Sequence, residues 1–305
     1  MDPRTLVKRG IEAALVASRL PRRRIRGRAS GTVLFAYHNV LPHGAGAVRG
    51  ALHIPQKRFG EHLDRLVDTH DIVPLSSISV GDSPTGRPRA VITFDDAYRG
   101  ALTAGFHELA QRHLPATVFV PPGLLGSAGF WWDRLAPPGR DLAVGIRDHI
   151  LHSLGGRGPA ALDWARRQGM PVNDLPAYAR PVTRVELFAH LRRGGFELGS
   201  HTWSHVNLAA VPPDEVRREI TRGHDWLEAV RSETPVVDWL AYPYGFFGPE
   251  AVAVAAERLK GALLVEGGAA EVAGRWVADA HRVPRINVPA GLSVDGLTLR
   301  LAGLR

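Results

Sequence analysis

Four short segments carry side chains able to do acid–base or metal chemistry, and each follows an apolar run. Val91-Ile92-Thr93-Phe94-Asp95-Asp96 ends on two adjacent carboxylates. Like charges beside a core are costly unless a cation neutralises them, and a metal ion is one such cation. The alternative is a pair that opens a helix as an N-cap. In Gly199-Ser200-His201-Thr202-Trp203-Ser204-His205, two histidines at i and i+4 would share one face of a helical turn and could ligate one ion. Leu240-Ala241-Tyr242-Pro243-Tyr244-Gly245 reads either as a plain strand-to-loop turn or as a wall. Such a wall would stack on a sugar and offer a backbone N–H to an oxyanion. Leu34-Phe35-Ala36-Tyr37-His38-Asn39 ends on a histidine suited to proton transfer. One Asp with two His leaves an open position for water, the stoichiometry of a catalytic zinc site. The chain has no cysteine, which excludes thiolate zinc sites, disulfides and Cys nucleophiles.

Something must hold these segments at one place. From residue 32 onward, short β-branched runs alternate with helical stretches. The expected strands are 32–37, 71–74, 90–94, 116–120, 196–199, 236–242, 262–265 and 282–288. The expected helices are 55–69, 98–113, 184–194, 213–232 and 249–259, with two more within 141–167. Strands alternating with helices predict a parallel sheet, and seven or eight such units predict barrel-like closure. In such folds chemistry gathers where strands end and loops begin. Residues 121–182, rich in Gly and Pro, read as an insertion over one end of the barrel.

Thr-Phe-Asp-Asp, followed about a hundred residues later by Ser-His-Thr-x-x-His, resembles the NodB-homology polysaccharide deacetylases, carbohydrate esterase family 4. The resemblance runs from residue 32 to about 288. It implies an α/β fold, a distorted (β/α) barrel of about seven strands, and metal-dependent removal of acetyl groups from sugars. It implies Asp95 as catalytic base, a divalent metal (Zn²⁺) held by Asp96, His201 and His205, and Tyr244 as the residue whose backbone N–H holds the oxyanion. Two departures follow. Ala241 stands where the family has an Arg that orients the catalytic Asp, and Arg285 is the candidate replacement. The family's C-terminal Leu-x-His, the source of the general acid, is not found after residue 245. His38 is its candidate counterpart at the N-terminus, with His281 as the alternative. This order is similar to the circularly permuted exopolysaccharide deacetylases. The expected function is N-deacetylation of an amino sugar or its polymer; an O-acetyl esterase and a carbohydrate-binding pseudoenzyme are the rivals. Trp131, Trp132, Tyr242 and Trp203 are candidate sugar-stacking residues, although Trp203 suits an interior position equally.

Charge is placed unevenly. The 305 residues carry a formal net charge of +8. Residues 1–30 hold nine Lys/Arg against two acidic residues, or +7, and the remaining 29 basic and 28 acidic side chains leave +1. A nearly neutral body argues against nucleic acid as partner. Residues 1–30 are therefore set apart from a barrel at 31–305. They read either as a solvated arm or as a peripheral contact with an anionic membrane. The apolar stretch 11–16 is short and is followed by Arg19–Arg28, a poor match to a signal peptide, so a cytoplasmic protein is expected, peripheral at the inner membrane surface only on the second of these readings.

Overall fold

The computed structural model describes residues 3–26, 31–46, 50–78, 86–137, 140–265 and 279–304. Residues 27–30, the end of the basic segment, lie outside them. The described residues form ten strands: β1 (Thr32–Tyr37), β2 (Asn39–Leu41), β3 (His53–Pro55), β4 (Asp71–Ile72), β5 (Arg89–Phe94), β6 (Ala116–Val120), β7 (Phe196–Ser200), β8 (Val236–Ala241), β9 (Gly261–Leu263) and β10 (Ile286–Asn287). The helices are α1 (Pro3–Ala17), α2 (Leu20–Arg26), α3 (Gln56–Thr69), α4 (Phe106–Gln111), α5 (Trp131–Leu135), α6 (Val144–Asp148), α7 (Gly158–Arg167), α8 (Arg184–Leu191), α9 (Pro213–Val230), α10 (Pro249–Arg258) and α11 (Val294–Leu301).

Seven strands pair in the order β10-β1-β5-β6-β7-β8-β9, with β4 added beside β5, and every pairing in this sheet is parallel. The sheet curls until its edges approach. Val283 bridges Leu263 next to β9, while Ile286, three residues on, pairs with Phe35 of β1. This is the expected barrel-like α/β fold. Two expected strands are cut short at a proline. Asp71–Pro74 stops at Ile72, and Arg282–Val288 is reduced to a bridge and β10. Pro74 and Pro284 lack the N–H that a ladder needs. The helix expected over 98–113 opens with a widened π-turn at Ala101–Gly105 before α4.

The strands are buried on both faces, as parallel strands between helices must be. Alternation sorts their side chains. Phe35, Ile92, Val118 and Leu198 face outward and meet Phe59, Leu63 and Leu66 of α3 together with the helices beyond. Leu34, Val91, Phe119, Trp239, Leu263 and Val283 face inward and fill the barrel. With period 2, the same inward parity falls on His38, Asp95, His201 and Arg285. Gly199 belongs to this inner set: a Cβ there would lie 2.4 Å from the Phe119 ring. The 121–182 region carries α5, α6 and α7, which close their own apolar cluster around Trp131, Leu135, Ile150 and Ala161. No helix among the described residues is long and apolar enough to cross a membrane.

Two buried histidines tie the outer layer to pH. His62 sits between the Tyr37 hydroxyl (3.4 Å) and the Leu292 carbonyl (3.1 Å). His70 caps the end of α3 beside Thr69. Burial lowers both from 6.5 to about 4, with Arg58 and Arg87 adding to the effect. The neutral form is thus favoured in the fold. Its stabilisation is complete above the unfolded value of 6.5 and is lost as the pH falls from there toward 4. Each histidine should cost on the order of 3 kcal/mol across that window. Urea midpoints at pH 7.5 and pH 4.5 test this. His62→Gln should flatten the difference; an equal drop in that variant would exclude His62 as a source.

Candidate active site

His38, Asp95, Asp96, Trp131, Trp132, Arg147, His201, His205, Tyr244 and Phe246 all line one cleft of about 440 Å³ at the carboxyl ends of the strands. This is where the fold predicts chemistry and a size suited to a small ligand. At its floor, Asp95 meets Arg285. The guanidinium donates from Nη1 to Oδ1 at 2.8 Å and from Nη2 to Oδ2 at 2.7 Å. Its remaining donors reach Thr93 Oγ1 (2.9 Å) and the Leu264 carbonyl (2.8 Å). Arg285 has no exposed surface and Asp95 almost none. Burial alone would raise the Asp95 pKa, but Arg285, with His201, outweighs it and holds the carboxyl ionised. The bidentate fork also fixes the plane of the carboxylate.

Beside this pair, one Asp96 oxygen faces both His205 Nε2 (3.1 Å) and His201 Nε2 (3.5 Å). That buried oxygen nevertheless completes no hydrogen bond. His201 Nδ1–H donates to the Ala241 carbonyl at 2.7 Å, which turns the Nε2 lone pair toward Asp96. One ligand atom from each of Asp96, His201 and His205 lies within 4.8 Å of the others, the only such His/Asp/Glu trio among the described residues. Three converging lone-pair donors, with no proton shared well between them, fit a divalent ion better than a hydrogen-bonded cluster.

The histidines do not converge through a helical turn, as their spacing suggested. The segment after β7 is a loop in which Thr202 (φ 62°) and His205 (φ 60°) are left-handed. Asp96 (φ 74°), Ala97 (φ 54°) and Tyr244 (φ 59°) are left-handed too. So many strained non-glycine residues around one cleft require support from outside it. Glu219 of α9 supplies part of it and went unnoticed in the sequence. It accepts from the Trp203 N–H (3.1 Å), the Ser204 N–H (2.7 Å) and the Ser204 hydroxyl (2.7 Å). Its signal was a carboxylate on the buried stripe Val216, Ile220, Gly223 and Leu227. Glu219→Ala should weaken divalent-metal affinity while the fold persists, because it releases the backbone that leads into His205. Isothermal titration with Zn²⁺ would check this, and unchanged affinity would dismiss the support role.

His38 lies at the mouth, buried, with Nδ1 lacking any hydrogen-bond partner. Desolvation lowers its pKa, against the pull of Asp95 and Asp96. His281 is elsewhere: its Nε2–H donates to the Leu259 carbonyl and its own carbonyl accepts from Tyr242, outside the cleft. Trp131 and Trp132 form one wall. The Trp131 indole N–H donates to the Tyr244 hydroxyl and that of Trp132 to the Tyr98 hydroxyl, both at 2.9 Å. Behind them runs a polar string also missed in the sequence. Tyr98 donates to Asp133 (2.6 Å), Asp133 accepts from His53 (2.9 Å), and Asn39 donates to His53 (3.0 Å).

The other two candidate stacking residues do not line the cleft. Tyr242 has the parity opposite to Ala241, so it points outward, stacks on Phe247 and is fully buried. Trp203 lies under the Arg222 guanidinium, 4.0 Å from its ring centroid, and packs on Gly123, where a Cβ would meet the indole nitrogen at 2.7 Å.

A parallel barrel with an Arg-clamped carboxylate beside a metal-competent trio defines a hydrolase-type site. A model of the polysaccharide deacetylase family matches residues 82–259, and the chain belongs to that family. Three solved structures share the fold. The deacetylase PplD of Streptococcus pyogenes, solved with acetate, is 17% identical with a TM-score of 0.60, covering 88% of this chain and 97% of that one. IcaB of Ammonifex degensii is 17% identical with a TM-score of 0.59, covering 90% and 97%. The de-N-acetylase of Aggregatibacter actinomycetemcomitans is 15% identical with a TM-score of 0.58, covering 88% and 99%. No curated protein matches the chain.

Proposed function

We propose that this chain is a metal-dependent hydrolase that removes N-acetyl groups from an amino sugar or an N-acetylated polysaccharide and releases acetate. The observation that carries the reading is the buried Asp95–Arg285 pair set against the Asp96, His201 and His205 trio in one cleft with His38. A divalent ion held by that trio would polarise the acetyl carbonyl and make water a better nucleophile at neutral pH. Asp95, kept ionised and oriented by Arg285, accepts the proton of the attacking water. The backbone N–H of Tyr244 stabilises the oxyanion. His38, at the same mouth, delivers a proton to the departing nitrogen. Amines leave poorly unless protonated, so this last role matters more for amides than for esters. Trp131 and Trp132 offer apolar surface to the sugar ring.

Acetate release from N-acetylglucosamine oligomers, compared with an O-acetylated sugar, tests the reading. Activity on the N-acetylated substrate, lost on chelation and restored by Zn²⁺, is expected. Release from the O-acetylated sugar alone would make the protein an esterase, and release from neither a binding protein. His38→Ala should cut N-deacetylation by about 10²–10⁴-fold. The same variant should change hydrolysis of an activated ester, whose leaving group needs no proton, far less. Equal losses on both substrates would remove His38 as the acid.

A further inference from the structure

Soluble helices turn their apolar stripe to the core and their charges to water. α1 does the reverse. Val7, Ile11 and Leu15 follow one another at i, i+4 and i+8 and are 64, 57 and 42% exposed. Leu20, at the start of α2, is 45% exposed. Among the described side chains of α1 the fully buried one is a carboxylate: Glu12 accepts from the Ser293 hydroxyl at 2.5 Å. Ser293 caps α11, and α11 packs against α1. α2 is anchored through Pro21 and Ile25, the latter in the main core. The helices are therefore docked on the fold, with an apolar ridge left outward.

The same two helices and the turn between them carry exposed cations. Lys8, Arg19, Arg22, Arg23 and Arg24 are all exposed. Outside these two helices only three large apolar side chains of the described residues are exposed: Val67, Val144 and Val185. They lie on three separate helices and form no stripe. An apolar ridge on helices that also carry basic side chains matches one kind of partner, a bilayer surface with anionic headgroups. The ridge would enter the acyl boundary while the cations meet the phosphates.

We propose that the outward face of α1 and α2 is a docking surface for an anionic lipid bilayer, with Val7, Ile11, Leu15 and Leu20 as the inserted ridge and Lys8, Arg19, Arg22, Arg23 and Arg24 as its charged border. The proposal stands independently of the reaction assigned to the cleft.

Sedimentation of the 305-residue chain with vesicles tests it. Vesicles of phosphatidylcholine alone are compared with vesicles containing about one-third phosphatidylglycerol. Binding is expected to the anionic vesicles and to fall at least about tenfold on raising salt from roughly 0.05 to 0.5 M, which shortens the Debye length severalfold. I11E/L15E and R23E/R24E should each lose at least about tenfold in partitioning, for the apolar and the electrostatic reason respectively. Both double variants alter exposed positions, and far-UV circular dichroism with the urea midpoint establishes that they fold. Equal binding to neutral and anionic vesicles, or none to either, overturns the proposal. So does loss in R23E/R24E with none in I11E/L15E, which would be surface electrostatics without insertion. A dimer in sedimentation velocity that I11E/L15E dissociates, with no vesicle binding, would assign the ridge to a second copy instead.

Discussion

On the proposed reaction, Asp95→Asn should match the unaltered chain in divalent-ion content and release acetate about 10²–10⁴-fold more slowly, whereas Asp96→Ala should carry no ion. The two carboxylates are adjacent in sequence, buried alike and ionised alike, so composition does not separate their roles. Geometry does. Asp95 continues the inward alternation of β5 and spends both oxygens on Arg285. Asp96 leaves the strand through a left-handed backbone and turns an oxygen to His201 and His205. Burial would raise the Asp96 pKa; the two imidazoles reverse that and hold it well below the carboxylate range. Metal content by atomic emission, with acetate release on the same samples, checks both. Metal loss in Asp95→Asn, or retention in Asp96→Ala, would exchange the assignments. Near-full turnover in Asp95→Asn would end the case for Asp95 as the base.

The second large effect concerns Arg285. Its removal leaves a buried, uncompensated carboxylate, and breaking such a pair from one side costs about 3–5 kcal/mol. Arg285→Met should therefore lower the urea midpoint substantially. Arg285→Lys, which keeps the charge but not the fork, should fold with a smaller loss. In the lysine variant the base is no longer held in one plane. Turnover should fall mainly in kcat, with KM and metal content little changed. A loss confined to KM would mean that Arg285 acts on substrate. A methionine variant as stable as the unaltered chain would show that the Asp95 charge is satisfied elsewhere. In the intact chain the folded Asp95 pKa is depressed, so the pair's stabilisation is full above the ordinary carboxyl value and lost as the pH falls below it.

The polar string behind the tryptophan wall fixes the position of Trp132. Trp132 is tied to Tyr98, Tyr98 to Asp133, and Asp133 to His53. Each buried polar group thereby gains a partner, and the ring is held at the mouth without touching the ionised floor.

Local pattern was sufficient for much of this. Alternating apolar runs and helical periods define a parallel barrel, since side-chain direction along a strand repeats every two residues whatever lies beyond it. The apolar runs that end on His38, Asp95 and His201 mark the barrel mouth as the place for chemistry. The uneven charge isolates a basic segment from a near-neutral body. What the chain alone left open depends on which strands become neighbours and how loops leave them. Arg285 and Asp95 are 190 positions apart and meet only because β10 lies beside β1 and β1 beside β5. The histidines converge through a left-handed loop supported by Glu219, where a helical turn looked sufficient. Tyr242 and Trp203 face away from the cleft, one by parity and one by packing under Arg222. Nor could the segment show that α1 buries the carboxylate of Glu12 and leaves its apolar stripe outside. Periodicity is a property of a few consecutive residues. Partnership across a barrel is a property of strand order, and only the tertiary structure decides it.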